Sequence, residues 1–457
     1  MDSYDVVVLG AGPAGEVVAG RLADAGRKVA IVERENIGGE CSFWACMPSK
    51  ALLRPPEVLD EARRVPGARE AVTSEADVQA TLDRRDEVIH DLDDSGMLPW
   101  LEEKGIALHR AHGALDGEKR VKLSTGETIE ARTAVVIATG SRASIPPIPG
   151  LRESEPWTNR EVTTAKEVPR GLVMLGGGVV GTEMAQAWTR LGTHVTLVEG
   201  ERHLLPQEEV FACELVSDAL AGIGVDIRTG RNVKEVRPRD GGGVTVVLDD
   251  DSTVDCDRVV ATLGRTPNTD AIGLETVGLE PGKGIEVDDR LRVPGHAWLY
   301  AIGDVNQRQI LTHMGKYQGR IAADVILGKP AHLDRLADGP PPPRVVFSDP
   351  QVAAVGHTTR TAEAAGLNVR AVDVTTSGNA GGSFYGRDAP GTTRILVDED
   401  RKVIVGATFT GAEVADFVHA ATIAIVGEVP LERLWHAVPS FPTRSELWLK
   451  LLEKYGL

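Results

Sequence analysis

Cys41 and Cys46 are the pair of residues in this sequence whose type and spacing most directly suggest redox chemistry. Four cysteines in 457 residues are too few for a secreted disulfide scaffold, and these two lie close together. On an ideal helix, residues five apart differ by about 140° in direction and lie roughly 8 to 9 Å apart at Cα, beyond disulfide reach. A bridge therefore needs a distorted backbone. Gly38, Gly39 and Pro48 supply the means, since glycine frees φ while proline deletes a donor and biases its predecessor away from the helical region. Cys213, in an apolar helical pattern, and Cys256, beside the apolar run Val259 to Leu263, read as buried packing. No further Cys or His cluster completes a zinc site, so no metal is expected.

Two glycine-rich turns carry the second kind of chemistry. Gly10, Gly12 and Gly15 follow an apolar strand, open a helical stretch and precede Glu33 by just over twenty residues. Gly176, Gly178 and Gly181 repeat that order before Glu199. Such glycines allow a tight turn and let a pyrophosphate approach the positive end of the helix, while the acid takes ribose hydroxyls. Two dinucleotide sites in one chain suggest an electron donor and a bound acceptor. Glu199 can accept from both ribose hydroxyls but repels a 2′-phosphate, so NADH is expected in preference to NADPH, with Arg202 nearby as the opposing charge.

The elements that position these residues form an internal echo. Val6 to Leu9 and Val29 to Val32 flank the first turn; Leu172 to Leu175 and Val195 to Val198 flank the second. Each unit is followed by an apolar strand closing in a Gly turn, at Val135 to Gly140 and Val259 to Gly264. The pattern predicts an α/β chain of two Rossmann-like domains and a C-terminal α+β domain. The expected segments are 1–150, 151–266, a return to the first domain over 267–338, and 339–457 behind a stiff linker at Pro340 to Pro343. With 50 basic against 67 acidic residues the formal charge is −17, which opposes docking on nucleic acid or anionic lipid. No apolar run reaches the ~20 residues of a membrane span and no signal peptide opens the chain, so a cytoplasmic location is expected.

The cysteine pair with Pro48-Ser49-Lys50 behind it resembles the class I pyridine nucleotide-disulfide oxidoreductases, the family of dihydrolipoamide dehydrogenase, glutathione reductase and mercuric reductase. The resemblance continues through Ala138-Thr139-Gly140, Gly264-Arg265, Asn268, Gly303-Asp304, Asp349-Pro350, and Pro442 to Glu446. It implies FAD in the first fold, NAD(P)H in the second, and a last domain that builds a homodimer. It further implies that Cys46 faces the flavin and Cys41 is the interchange thiol, the two forming a redox-active disulfide. By the same resemblance Lys50 lies beside flavin N5 with Glu183 as its partner, Asp304 accepts from the ribityl chain, and Gly113 lets its backbone approach the adenine. Thr139, Gly140, Gly264 and Arg265 complete the cofactor residues.

The sequence departs from the family where protons are handled. The family places a histidine just before Pro-Thr, paired with the glutamate matched by Glu446; here that position is Phe441, which carries no proton. Glu40 adjoins Cys41, and a carboxylate there is expected to raise the thiol's pKa. The favoured function is an NAD(P)H oxidoreductase passing electrons through flavin to Cys41 and Cys46 and on to a disulfide or other soft small-molecule acceptor. Two alternatives stand beside it: a diaphorase-like reductase of quinones or metal ions acting from the flavin, and a low-turnover redox sensor or interaction subunit.

Overall fold

The computed structural model describes residues 2–339, 341–386 and 389–457. Pro340, the first residue of the expected linker, therefore lies outside the described residues. The chain groups into two units, the first made of Met1–Pro48, Asp86–Ser144 and Gly264–Asp338, the second of Ser49–Arg85, Ile145–Leu263 and Gly339–Leu457. Residues 49–85 thus group with the second unit rather than with the rest of segment 1–150.

In the first unit, alternation gives way to continuous apolar runs, as strands covered on both faces require. Ser3–Leu9 lies between Val29–Glu33 and Thr128–Ile137, parallel to both, with Val6 opposite Val29 and Leu9 opposite Ile137. Ala107–Arg110 extends one side, Arg120–Leu123 and Gly113–Leu115 the other. Leu299–Ala301 pairs with Thr128–Ile137, which brings the returning segment into the same sheet. Val6, Val7, Val8, Ile31, Val135 and Val136 are fully buried at its centre. The helix Pro13–Asp24 starts with proline in its first turn, where the missing N–H costs nothing.

The second unit holds a parallel sheet in the order Asp226–Thr229, His194–Glu199, Gly171–Leu175, Arg258–Ala261, served by the helix Val179–Arg190. A three-stranded antiparallel sheet, Val233–Pro238, Val244–Leu248 and Thr253–Cys256, accompanies it. Its C-terminal part is a five-stranded antiparallel sheet running from Arg344–Val346 through Gln351–Gly356, Val403–Gly411 and Thr392–Asp398 to Val369–Thr375. The helices Phe417–Val426 and Leu447–Tyr455 cover it through Val418, Ala421, Ile425, Leu447 and Leu451. The first of these follows a turn in which the Val414 carbonyl accepts from Phe417 N–H. The architecture is the expected α/β one with a C-terminal α+β part.

Candidate active site

The backbone break that the cysteine spacing demands lies between the two cysteines. Gly38 (φ 108°) and Gly39 (φ 57°) turn the chain into a short helix, Gly39–Phe43, that carries Cys41. That helix stops at Trp44, whose φ of −135° and ψ of 8° are not helical, and a new helix, Cys46–Arg64, starts two residues on. The expectation that Pro48 helps distort this segment is corrected: it sits in the first turn of the second helix, where no backbone donor is needed. The structure carries Cys41 and Cys46 as half-buried free thiols, near enough for Cys46 to dominate the ionisation of Cys41. Cys46 Sγ also lies 3.5 Å from Thr312 Oγ1, at the start of the helix Thr312–Ile326.

The Cys46 thiol and then burial push the Cys41 thiol well above the ordinary range, while the Thr312 hydroxyl and the Lys316 ammonium act in the opposite direction. The shift has the direction expected beside Glu40, but its largest causes are Cys46 and burial, and the Glu40 carboxylate itself lies 3.7 Å from the Arg265 guanidinium. Arg265 also donates to Ser141 through Nε (2.6 Å) and Nη2 (2.7 Å), and Ser141 Oγ donates to Asp304 Oδ2 at 2.6 Å. Asp304 is raised by burial, against the pull of Ser141 and Arg265. Thr139 Oγ1 donates to the Asn268 carbonyl (2.8 Å) and Asn268 Nδ2 to the Thr139 carbonyl (3.0 Å), so the turn at Thr139-Gly140 and the turn after Gly264-Arg265 brace each other.

Thr139 and Asn268 border a cavity of about 320 Å³ that is also lined by Gly10, Glu33, His112, Gly113 and Arg142. The size suits part of a nucleotide cofactor. Gly10 has a φ of 103°, and a Cβ at Gly15 would run into the Gly10 carbonyl, so both glycines are required by the turn. A Cβ at Gly113 would come within 3.0 Å of Leu9 and 2.9 Å of Val32, which explains the glycine beside the cavity. Gly12 heads the helix Pro13–Asp24 with no side chain to cap it and open space around it. That leaves helix N–H groups for a pyrophosphate. Glu33 accepts from Ala11 N–H (2.7 Å) and Glu35 N–H (2.7 Å), which aims its carboxylate at this turn. The donor set, the acid and the cavity fit FAD.

The second turn copies the first atom for atom. Gly176 has a φ of 102°, Gly181 packs on the Gly176 carbonyl, and Gly178 heads the helix Val179–Arg190 without a side-chain cap. Glu199 accepts from Gly177 N–H (2.6 Å) and Glu201 N–H (2.8 Å), the equivalents of Ala11 and Glu35. Lys50 Nζ donates to Glu183 Oε2 at 2.7 Å and stands 4.8 Å from the centre of the Phe347 ring. Glu183 is 2% exposed, and its Oε1 accepts from Phe347 N–H.

At the far end of the chain Phe441 is 76% exposed. Glu446 Oε2 is buried without a partner among the described residues. The segment between them is held by Arg444, which donates to the Ala412 and Glu413 carbonyls and stacks on Tyr385 and Phe417. His436 is exposed. Cys213 and Cys256 are buried, and burial lifts their thiols to about 11 and about 12, as inert packing requires. Among the described residues no group of three or more His, Cys, Asp or Glu side chains is placed to hold a metal ion, and no helix is long and apolar enough to cross a membrane.

Asn268 and Thr312 are residues of this region whose contacts emerge only in three dimensions, the first of them in a motif already quoted.

Residues 4–319 match the pyridine nucleotide-disulphide oxidoreductase family and residues 342–451 match its dimerisation domain. Dihydrolipoyl dehydrogenase of Bacillus subtilis is 33% identical over 98% of this chain and 96% of its own. Mercuric reductase of Staphylococcus aureus is 27% identical over 97% of this chain and 81% of its own. Among solved structures, LpdA of Mycobacterium tuberculosis superposes with a TM-score of 0.87 at 25% identity, covering 100% of both chains.

Proposed function

Because the chain belongs to the pyridine nucleotide-disulphide oxidoreductases, NAD(P)H-dependent flavoproteins, we propose that it takes electrons from NADH and delivers them through Cys41 and Cys46 to a soft small-molecule acceptor. The observation that carries this reading is the contact between the two thiols across the break at Trp44 and Ala45. FAD, when bound, supplies the redox ring that links nicotinamide to the dithiol. Gly10, Gly12, Gly15 and Glu33 hold its adenosine and pyrophosphate; Gly113, Thr139, Gly140, Asp304, Gly264 and Arg265 complete its site. Gly176, Gly178, Gly181 and Glu199 hold the nicotinamide dinucleotide. Lys50, fixed by Glu183, supplies a cation where negative charge builds on reduction.

With a disulfide acceptor, the Cys41 thiolate attacks one sulfur, the acceptor's S–S bond breaks, and one thiolate leaves. Cys46 then attacks the mixed disulfide at Cys41 and releases the second. The two enzyme protons end on the two product thiols. In a homodimer, Phe441 of the partner covers the Cys41 side as an apolar lid, so those protons travel without an imidazole. A soft metal ion that binds the two thiolates needs no such transfer. The enzyme works in the cytoplasm.

Steady-state turnover with NADH against lipoamide, glutathione disulfide, benzoquinone and Hg(II), repeated on Cys41→Ser, tests the route. Loss of turnover in Cys41→Ser, with uptake of about four electrons per subunit in anaerobic titration of the wild type, is expected. Two-electron uptake would overturn it. The exposed Phe441 and the partnerless Glu446 oxygen favour one second reading, direct reduction of quinones from the flavin. Quinone turnover that survives Cys41→Ser would select it.

A further inference from the structure

The helix Gly39–Phe43, which carries Cys41, is docked on the first glycine turn. Gly38 N–H donates to the Ala11 carbonyl at 2.8 Å, and a Cβ at Gly39 would come within 2.9 Å of Gly12 Cα. Glu40, the next residue, therefore enters the fold beside the turn that heads the helix Pro13–Asp24. Its charge meets a guanidinium that serves two acids. Arg265 Nη2 is 3.7 Å from Glu40 Oε2, and Arg265 Nε is 3.7 Å from Asp304 Oδ2. Ser141 anchors that guanidinium, its hydroxyl accepting from Nε at 2.6 Å and its carbonyl from Nη2 at 2.7 Å. The same hydroxyl donates to Asp304 Oδ2 at 2.6 Å. Both contacts of Asp304 with this pair are made by Oδ2, and neither takes Oδ1. The side chains of Glu40, Arg265 and Asp304 are 26%, 23% and 25% exposed, so solvent screens their charges only in part.

A guanidinium carries a fork of donors that fits both oxygens of one carboxylate. Drawn by Asp304 alone, Arg265 would close on that acid and occupy the oxygens a cofactor hydroxyl needs. Glu40, at the same distance from the guanidinium as Asp304, opposes that pull. We propose that Glu40 is a positioning residue of the flavin site: by sharing the Arg265 guanidinium it keeps Asp304 Oδ1 open to accept from a ribityl hydroxyl of FAD. The same sharing ties the helix that carries Cys41 to the acid that holds the cofactor. The proposal rests on the reading of Asp304 as a cofactor residue.

The test is the rate of FAD release from the holoenzyme, measured as flavin recovered in the filtrate at timed intervals after dilution. Asp304→Asn is expected to speed release by more than about tenfold, through loss of a charged acceptor. Glu40→Gln, which keeps the shape and drops the charge, should speed it by about 3- to 10-fold. In the Asp304→Asn background the same Glu40→Gln change should add no more than about twofold, because a neutral amide no longer draws Arg265 in. An ion pair that only braced the fold would keep its full effect in that background, and that result would overturn the proposal. Release at the wild-type rate in Glu40→Gln would overturn it too, while faster release in Asp304→Asn would leave the reading of the cofactor site standing. Unchanged release in Asp304→Asn would overturn that reading and the proposal together.

Discussion

The Lys50 ammonium donates to the buried Glu183 carboxylate at 2.7 Å, and the other oxygen of Glu183 accepts from the Phe347 N–H at 2.9 Å. Both oxygens of an acid that is 2% exposed are therefore satisfied, one of them by a side chain that is itself 34% exposed. Removing the cation leaves the carboxylate buried with only one neutral donor.

Lys50→Met is expected to lower stability by about 1 to 3 kcal/mol, the usual cost of an orphaned buried charge reduced for Lys50's exposure. Lys50→Met combined with Glu183→Gln should recover much of that loss, because the second change removes the orphan. Thermal midpoints of the four holoenzymes form the cycle. Additive losses would mean that the two side chains do not act as a pair.

Glu199 stands to its glycine turn as Glu33 stands to the first, each acid accepting from the residue after the first glycine and from the residue two positions beyond itself. This geometry fixes the Glu199 side chain at the turn where the proposed nicotinamide dinucleotide would place its ribose. We expect kcat/KM for NADH to exceed that for NADPH, and Glu199→Gln, which keeps an acceptor for Gly177 but drops the charge, to move the ratio toward NADPH by about tenfold. Equal or better use of NADPH by the wild type would show that Glu199 does not set the preference.

The parts of the fold legible in the sequence were those written twice. Strand, glycine turn, helix, strand and acid recur in the same order, and the structure places Glu33 and Glu199 in the same hydrogen bonds. Continuous apolar runs marked the buried parallel strands to within a few residues at each end, except that the strand expected from Val135 begins at Thr128. The three-stranded sheet over 233–256 was harder to see because its strands are four to six residues long and only partly buried. At the site, the spacing of Cys41 and Cys46 demanded a break but could not say where: glycines open the first helix, while Trp44 and Ala45, which carry no breaking signal, end it. Glu40 is adjacent to Cys41 in sequence, but its ion pair with Arg265, 225 positions away, is visible only in the fold.

Glu16 gives a pH signature. Burial raises its carboxyl from the ordinary 4.5 to about 7, so the folded chain holds this proton more tightly than the unfolded chain does. Its contribution to stability is fully present below about pH 4.5 and is lost as pH rises to about 7. Glu16→Gln should therefore leave the unfolding free energy of the holoenzyme nearly unchanged at about pH 5 and raise it at about pH 8, by an amount on the order of 1 to 3 kcal/mol. A stabilisation that is the same at both values would show that the carboxyl is not held protonated by the fold.

Phe441 offers the most direct test of what this chain has given up. It is 76% exposed, while Glu446, five residues on, keeps one oxygen buried without a partner among the described residues. A phenyl ring neither donates to that oxygen nor moves a proton to a leaving thiolate, and loss of a positioned acid or base costs ~10²- to 10⁴-fold. Lipoamide and glutathione disulfide are therefore expected to be poor substrates beside benzoquinone. Phe441→His should give Glu446 its partner, raise turnover of both disulfides by at least about tenfold, and leave quinone turnover unaltered. The gain should carry an imidazole titration near pH ~6.5, displaced upward by the neighbouring carboxylate. Wild-type enzyme that reduces lipoamide as fast as benzoquinone, or a Phe441→His variant with no gain on either disulfide, would mean that proton transfer at Cys41 does not depend on this position.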